Sequence, residues 1–189
     1  MHLFGFTSPK NLESRLNTSN DSIAERHKRT GGNKSTNEIV YRENARGVNW
    51  KDLADVYKRA PLGKLDAGKL RRAYASSEVC CFAFSGEALV GGGRVISDGE
   101  APATVCELVV APEYQRQGVG RAILRAILRK LAVPKVILAC VHGQQDFYRR
   151  EGFLSHKSVM ALYANTQWFV DNANLEPGDA ANGAVAYSD

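Results

Sequence analysis

The chain has 189 residues, 44% of them hydrophobic and 24% charged, which is typical of a soluble globular domain with a sizeable core. Its formal net charge of +5 favours anionic ligands but is too modest to predict a nucleic-acid partner. No apolar run approaches the roughly 18 residues of a membrane-spanning helix, and the first residues lack the apolar stretch of a secretory signal. We therefore expect neither a membrane nor a nucleic acid as partner.

The cysteines are Cys80, Cys81, Cys106 and Cys140. They form no CxxC pair and have no histidines at zinc-ligand spacing, so we expect reduced, buried thiols and no metal. Reduced thiols indicate a reducing compartment and favour the cytoplasm.

Residues 1–37 are polar and rich in Ser, Thr and Asn, which predicts a flexible extension. Because this segment is also basic, an organelle-targeting peptide is the alternative, although Glu13, Asp21 and Glu25 argue against it. Residues 164–189 contain acids and no base and are expected to form a flexible tail. The folded domain is accordingly predicted over 38–163.

Hydrophobic periodicity and turn residues predict an alternation of strands and helices within that domain. Strands are expected at 38–42, 79–84, 89–96, 104–110, 135–140 and 157–163, and helices at 50–60 (N-cap Asn49), 66–75, 118–131 and 144–150. Consecutive strands favour antiparallel pairing, whereas the strand, helix and strand of 104–140 favour a parallel crossover. The sequence thus predicts an α/β (α+β) fold with a mixed, mostly antiparallel sheet of six to seven strands and about four helices.

The segment Gln115-Arg116-Gln117-Gly118-Val119-Gly120-Arg121 joins a strand, stopped by Pro112, to a helix. Gly118 and Gly120 permit positive φ and keep side chains off the concave face. The first amides of the helix have no intrahelical partner, and with the helix dipole they favour an anion. The segment therefore predicts a phosphate-binding turn.

Other interpretations of this turn have less support. A P-loop would need GxxxxGK[ST], and a Rossmann fingerprint would need a small residue where Ile123 stands. A plain capping turn is the remaining alternative. The run Gly91-Gly92-Gly93 is expected to be a bend in a strand rather than a second phosphate site.

Two motifs carry a family resemblance. The stretch from Glu107 to Gly120 resembles the acetyl-CoA signature [Q/R]-x-x-G-x-[G/A] of the GNAT N-acetyltransferase superfamily, and Phe147-Tyr148-Arg149-Arg150-Glu151-Gly152-Phe153 resembles its "FY…GF" element. The resemblance covers about 38–163. The run from Leu89 to Gly99 is similar to a bacterial and plastid subset that includes serotonin-type N-acetyltransferases.

The resemblance implies an enzyme with acetyl-CoA as co-substrate. The amides from Arg116 to Arg121, a segment that includes Gln117 and Val119, would bind the pyrophosphate, and Leu108 to Val110 would pair with the pantetheine arm. An N–H of Val109 or Val110 would polarise the acetyl carbonyl. Tyr148 would act as general acid for the thiolate. Many family members have Asn where this chain has Val141, so that cofactor contact is not expected here.

Glu107 is our candidate for the base that deprotonates the amine, since it is an acid within the apolar run Val105 to Val109, on the face of Val109. The alternative is a carboxylate paired with a nearby arginine. His142 is a second candidate base, and an exposed loop histidine is its simpler interpretation.

Arg121, Arg125 and Arg129 repeat along one helix face, and Arg121 lies close enough to the turn to reach a phosphate. The acceptor groove that the resemblance implies lies at about 50–75 and 155–168, where the aromatic residues are Tyr57, Tyr74, Tyr163 and Trp168. A small primary amine is the expected acceptor. A protein lysine or N-terminus, and an acyl-CoA sensor without turnover, are the alternatives, and a homodimer stays open.

Overall fold

A computed structural model of the chain describes residues 38–60, 62, 65–100, 102–157 and 159–161. Within these residues no helix has the length and apolar character needed to cross a bilayer. The chain divides into two compact units, Met1–Leu138 and Ala139–Asp189.

The first unit contains a five-stranded sheet whose strands follow one another in chain order. The strands are β1 (Ile39–Arg42), β2 (Val79–Ser85), β3 (Ala88–Ile96), β4 (Ala103–Val110) and β5 (Val136–Leu138). Strands β1 to β4 pair antiparallel, and β5 pairs parallel with β4. The mixed, mostly antiparallel sheet is confirmed.

Four α-helices accompany these strands among the described residues: α1 (Trp50–Arg59), α2 (Ala67–Ala75), α3 (Val119–Leu128) and α4 (Gln145–Arg150). The N-cap prediction for α1 is confirmed, because the Asn49 side chain accepts the Lys51 N–H at 3.1 Å. Asp66 caps α2 in the same way, accepting the Lys69 N–H at 2.8 Å.

Helices α1 and α2 cover one face of the sheet. Leu53, Val56 and Tyr57 of α1 are buried there together with Tyr74 of α2. Tyr74 stacks on Phe82 of β2 with ring centroids 5.0 Å apart. This aromatic and aliphatic cluster fixes both helices on the sheet, since burying such side chains contributes roughly 1.5–3 kcal/mol each.

The glycines of β3 allow close packing on the opposite, α3-facing side. A Cβ at Gly91 would lie 2.8 Å from the Val109 carbonyl oxygen, and one at Gly93 would lie 2.9 Å from Ile123 of α3. Gly91 and Gly93 therefore let α3 and β4 approach β3. The sequence predicted a bend in the strand at these glycines; the structure shows instead that they provide room for close packing.

Three predicted elements differ from the structure by more than one residue. Helix α3 ends at Leu128 instead of 131, because Lys130 and Leu131 donate to the carbonyls three residues back and tighten the last turn. Strand β5 is confined to Val136–Leu138, where it has a partner in β4. The predicted strand at 157–163 is wrong for the residues described, since Val159 and Met160 are exposed and pair with no strand; 158 and 162–163 lie outside the description.

The described residues accordingly contain five strands, where six to seven were expected. The domain limits of 38–163 stay a prediction, since residues 1–37 and 162–189 lie outside the described part of the chain.

The described part of the second unit contains α4 and an aromatic group beside it. Tyr148 packs edge-on against Phe147 at 4.9 Å and against Phe153 at 5.8 Å between ring centroids. The Phe153 N–H donates to the Tyr148 carbonyl at 3.1 Å, which turns the chain back at the end of α4.

Candidate active site

In the part of the chain that the structure describes, one edge of β4 is open, that is, without a paired strand, over half its length. Strand β5 pairs with Ala103, Thr104 and Val105 only, and Val105 lies opposite Leu138, the last residue of β5. Among the described residues, no strand continues this pairing along 106–110. The backbone of that segment is therefore available to an added extended chain on this edge.

A bulge at Cys106 decides which backbone groups face the open edge. Glu107 pairs with Arg94 and Val105 with Val95, so Cys106 is an extra residue in β4. On the β5 side the Ala103 N–H donates to the Lys135 carbonyl, at 3.0 Å.

Beyond the bulge, the backbone N–H groups of the odd-numbered residues point to the opposite neighbour. The Ala111 N–H donates to the Val90 carbonyl of β3 at 2.8 Å, although in an unbroken strand Ala103 and Ala111 would point to the same neighbour. By alternation from Ala111, the Val109 N–H also faces β3, whereas the N–H groups of Leu108 and Val110 face the open edge. Of the two candidate donors, Val109 and Val110, this geometry favours Val110.

The turn after β4 begins with a 3-10 helix, Pro112–Tyr114. Gly118 has φ 86° and precedes the first residue of α3, so it needs the left-handed conformation that glycine adopts at little cost. Gly120 does not adopt the left-handed conformation, because this residue lies inside the first turn of α3. Arg116 has φ 58°, which is uncommon for a residue with a side chain.

Two glutamine side chains brace this turn. Gln115 donates through Nε2 to the Val110 carbonyl at 2.9 Å, and Gln117 donates through Nε2 to the Glu113 carbonyl at 2.7 Å. Gln115 thus satisfies the carbonyl of Val110 on the open edge. The Val110 N–H next to it is left directed at the same edge.

Glu107 lies on the sheet face covered by α1 and α2, the face of Val109, as its place in the strand predicts. Its carboxylate pairs with the guanidinium of Arg94: Nη2 donates to Oε1 at 3.0 Å, and Nε contacts Oε2. The side chains of Arg94 and Glu107 are 14% and 22% exposed. The arginine-paired alternative is therefore the arrangement observed, and Arg94 is a partner that the sequence alone did not identify.

Tyr57 and Tyr74 are core residues, with 1% and 3% of their surface exposed. Their hydroxyl oxygens lie 3.4 Å apart, and burial raises the pKa of both phenols. Of the aromatic residues expected in an acceptor groove, these two instead hold α1 and α2 together. Tyr163 and Trp168 lie outside the described residues.

In the second unit, Tyr148 is half-buried on α4, and burial raises the pKa of its phenol to about 12. The phenol therefore keeps its proton throughout the neutral range and is available as a donor. Val141 is half-buried and His142 is exposed, just before α4.

Along α3, Arg121 and Arg129 are exposed and Arg125 is half-buried. Arg121 stands in the first turn of the helix, two residues after its start at Val119. Its position next to the helix N-terminus is the one that the sequence predicted.

Comparison with known proteins gives a family model and several relatives. Residues 76–154 match the model described as an acetyltransferase (GNAT) domain. Serotonin N-acetyltransferase 2, chloroplastic, of Oryza sativa is 29% identical over 139 residues, 68% of this chain and 70% of the relative. An uncharacterized N-acetyltransferase, ycf52, of Porphyra purpurea is 25% identical over 122 residues, 61% of this chain and 70% of the relative.

Among solved structures, a GNAT-family acetyltransferase from Streptococcus pneumoniae is similar at 27% identity and a TM-score of 0.57. The match covers 67% of this chain and 98% of that one. The residues that match the family model run from β2 to α4. They include Glu107, the turn before α3 and Tyr148.

Proposed function

The chain belongs to the GNAT N-acetyltransferase superfamily, and on that premise we propose that it transfers the acetyl group of acetyl-CoA directly to the primary amine of a small molecule. The observation that carries this proposal is the open edge of β4, with the N–H groups of Leu108 and Val110 directed along it. This edge leads directly into the turn at Gly118 and the start of α3.

The arrangement fits acetyl-CoA in two respects. An extended pantetheine arm can hydrogen-bond to the open edge as an added strand does. The N-terminal amides of α3, preceded by Gly118 in the left-handed conformation, can receive the pyrophosphate. Arg116 and Arg121 add positive charge beside these amides.

Each residue then has a role in the transfer. The Val110 N–H polarises the acetyl carbonyl, which makes its carbon more open to attack by the amine nitrogen. Acetyl-CoA supplies the thioester, and Tyr148 gives a proton to the departing thiolate. The raised pKa of the Tyr148 phenol supports this role, because the donor form is the one populated at neutral pH.

We retain Glu107 as the candidate base. The pairing with Arg94 occupies one position on each carboxylate oxygen, and Oε2 is buried against the guanidinium, so Oε1 is the oxygen that keeps a further acceptor position for an amine proton or a water. His142, exposed before α4, is the second candidate.

The small-amine acceptor is supported by the rice relative, whose name specifies serotonin, an arylalkylamine. A protein lysine or N-terminus is the second candidate within the same chemistry. The alternative outside it is an acyl-CoA sensor without turnover. The same rice relative is named chloroplastic, which supports an organelle over the cytoplasm as the site of action.

The test has two stages. Calorimetric titration with acetyl-CoA is expected to show binding, and no heat at millimolar ligand would contradict the proposal. Pools of small amines and of peptides are then supplied with acetyl-CoA while free thiol is detected. Release with small amines supports the proposal, release with peptides alone favours a protein acetyltransferase, and binding without release favours the sensor.

A further inference from the structure

Arg59, the last residue of α1, contacts the turn that precedes α3. Its Nη1 donates to both carboxylate oxygens of Glu113, each at 2.8 Å, and its Nε donates to Asp55 at 2.7 Å. Arg59 thus joins α1 to the first part of the turn at a separation of 54 residues in sequence. Among the described residues, the Arg59–Glu113 pair is the ion pair that links the turn to α1.

Glu113 lies at the centre of the contacts that shape the turn. Its side chain is held by Arg59, and its carbonyl accepts the Gln117 side chain at 2.7 Å. Tyr114, next in sequence, packs against the core cluster that contains Leu53 and Tyr57 of α1. The backbone between Glu113 and Gly118 is therefore fixed at its start by α1 and closed on itself by Gln117.

The turn needs such support because it contains an unfavourable conformation. Arg116 has φ 58°, and a side-chain-bearing residue in the left-handed region costs about 1–2 kcal/mol. Without contacts that compensate for this cost, the turn would populate other backbone conformations. In those conformations the backbone N–H groups before α3 would no longer converge on one ligand.

We propose that Arg59 is a positioning residue for acetyl-CoA, which by holding Glu113 keeps the 112–118 turn in the conformation that receives the pyrophosphate. The inference rests on the proposed function. It makes helix α1, which the family resemblance assigns to the acceptor groove, part of the support of the cofactor site, with Arg59 acting through Glu113. The guanidinium also holds the pKa of the Glu113 carboxyl below its usual range, so the pair stays ionised at neutral pH.

Positioning and simple electrostatics predict effects of opposite sign at Glu113. Removing an acid near a polyanion reduces repulsion, so charge alone predicts that Glu113→Gln binds acetyl-CoA more tightly. If Glu113 holds the turn, the same substitution weakens binding. Arg59→Gln alone does not separate the two explanations, because losing a cation weakens binding in both.

The experiment measures the acetyl-CoA dissociation constant of the full chain, by calorimetry, for the wild type, Glu113→Gln, Arg59→Gln and the double variant. Asp52→Asn is the control, because it removes an exposed acid from the same helix α1. We expect Glu113→Gln to raise the dissociation constant about threefold to fivefold, the range for a well-formed exposed ion pair. Asp52→Asn is expected to leave it unchanged or slightly lower.

The double variant completes the cycle. If Arg59 positions the turn through Glu113, adding Glu113→Gln to Arg59→Gln changes the dissociation constant little, because the contact between the two side chains is already lost. Tighter binding by Glu113→Gln in both backgrounds, or equal binding by Glu113→Gln and wild type, would overturn the role of Arg59 while leaving the acetyltransferase proposal intact. A wild type that does not bind acetyl-CoA would overturn the proposed function and this inference with it.

Discussion

Arg94 and Glu107 face each other on β3 and β4, directly beside the extra residue Cys106. The pair is mostly buried, and its guanidinium engages both carboxylate oxygens. Such a pair stabilises the register of the two strands once both partners are present, because either charge alone would be poorly solvated. Under the proposed function, Glu107 serves both stability and catalysis, and a single substitution is expected to affect both.

Removing one partner is expected to be worse than removing both. Arg94→Met and Glu107→Gln should each lower the free energy of unfolding by roughly 2–4 kcal/mol, because the remaining charge loses its partner. The double variant Arg94→Met/Glu107→Leu should recover much of that loss. Urea denaturation measures all three, and single variants with wild-type midpoints would contradict the account.

The same double variant isolates the role of Glu107 in catalysis. With stability restored, a lost general base should lower kcat by about 10²–10⁴-fold. Activity is measured with the amine that the thiol-release screen identifies. An undiminished kcat would remove Glu107 from the mechanism and direct attention to His142.

The raised pKa of the Tyr148 phenol leads to a prediction about the pH dependence of kcat. Its folded-state pKa of about 12 lies above the value of 10.0 for a free phenol, so the neutral form is favoured in the folded chain. The associated stabilisation is fully present below pH 10 and is lost as the pH rises towards 12. We accordingly expect no alkaline fall in kcat from phenol ionisation up to about pH 10.5. A fall centred near pH 10 in the wild type but not in Tyr148→Phe would contradict the burial argument.

At the scale of elements, β4 combines a sheet strand with a free edge. The bulge at Cys106 lets Ala103 pair with β5 while it directs the N–H groups of Leu108 and Val110 away from β3. A strand without the bulge would direct the N–H of Val109 to that edge. The geometry of the open edge thus depends on one inserted residue.

Proline substitution tests this alternation. Val110→Pro deletes an N–H on the open edge and should leave the sheet intact, as proline is tolerated at edge positions. It should lower kcat by about 10²–10³-fold if that N–H polarises the carbonyl. Val109→Pro is the matched control, because it deletes an N–H that faces β3 and should chiefly lower the melting temperature. Reversed effects on kcat and melting temperature would show that the alternation is misassigned.

The glycines of β3 give a prediction on packing. Gly91→Ala places a Cβ 2.8 Å from a backbone oxygen of β4, whereas Gly93→Ala places one 2.9 Å from the side chain of Ile123. The atoms that face Gly93 are side-chain methyl groups of Ile123, Ile127 and Leu108, which can shift by small amounts. The strand backbone that faces Gly91, in contrast, is held by its pairing. We expect Gly91→Ala to cost about 1–3 kcal/mol of unfolding free energy, and Gly93→Ala less. The order is checked by thermal or urea denaturation, and equal costs would count against the argument.

At the scale of the molecule, hydrophobic periodicity and turn residues were sufficient to predict the mixed sheet, the four helices and the N-cap at Asn49. These features depend on local sequence. The cap at Asp66 was not predicted, because Asp66 was assigned to the helix itself. The partners Arg94 and Arg59 were not predicted, because each meets its carboxylate across strands or helices distant in sequence. The bulge at Cys106 escaped prediction for the same reason, since it is defined only by the register with β3.

The most direct test of the central claim follows the acetyl group itself. Acetyl-CoA with an isotopically labelled acetyl group is mixed with the full chain and pooled small amines, and the products are identified by mass spectrometry. Direct transfer predicts label on an amine, one free CoA thiol for each acetylated amine, and none of the label on the protein. Intact labelled acetyl-CoA with every amine supplied, or label held on a cysteine of the chain, would contradict it.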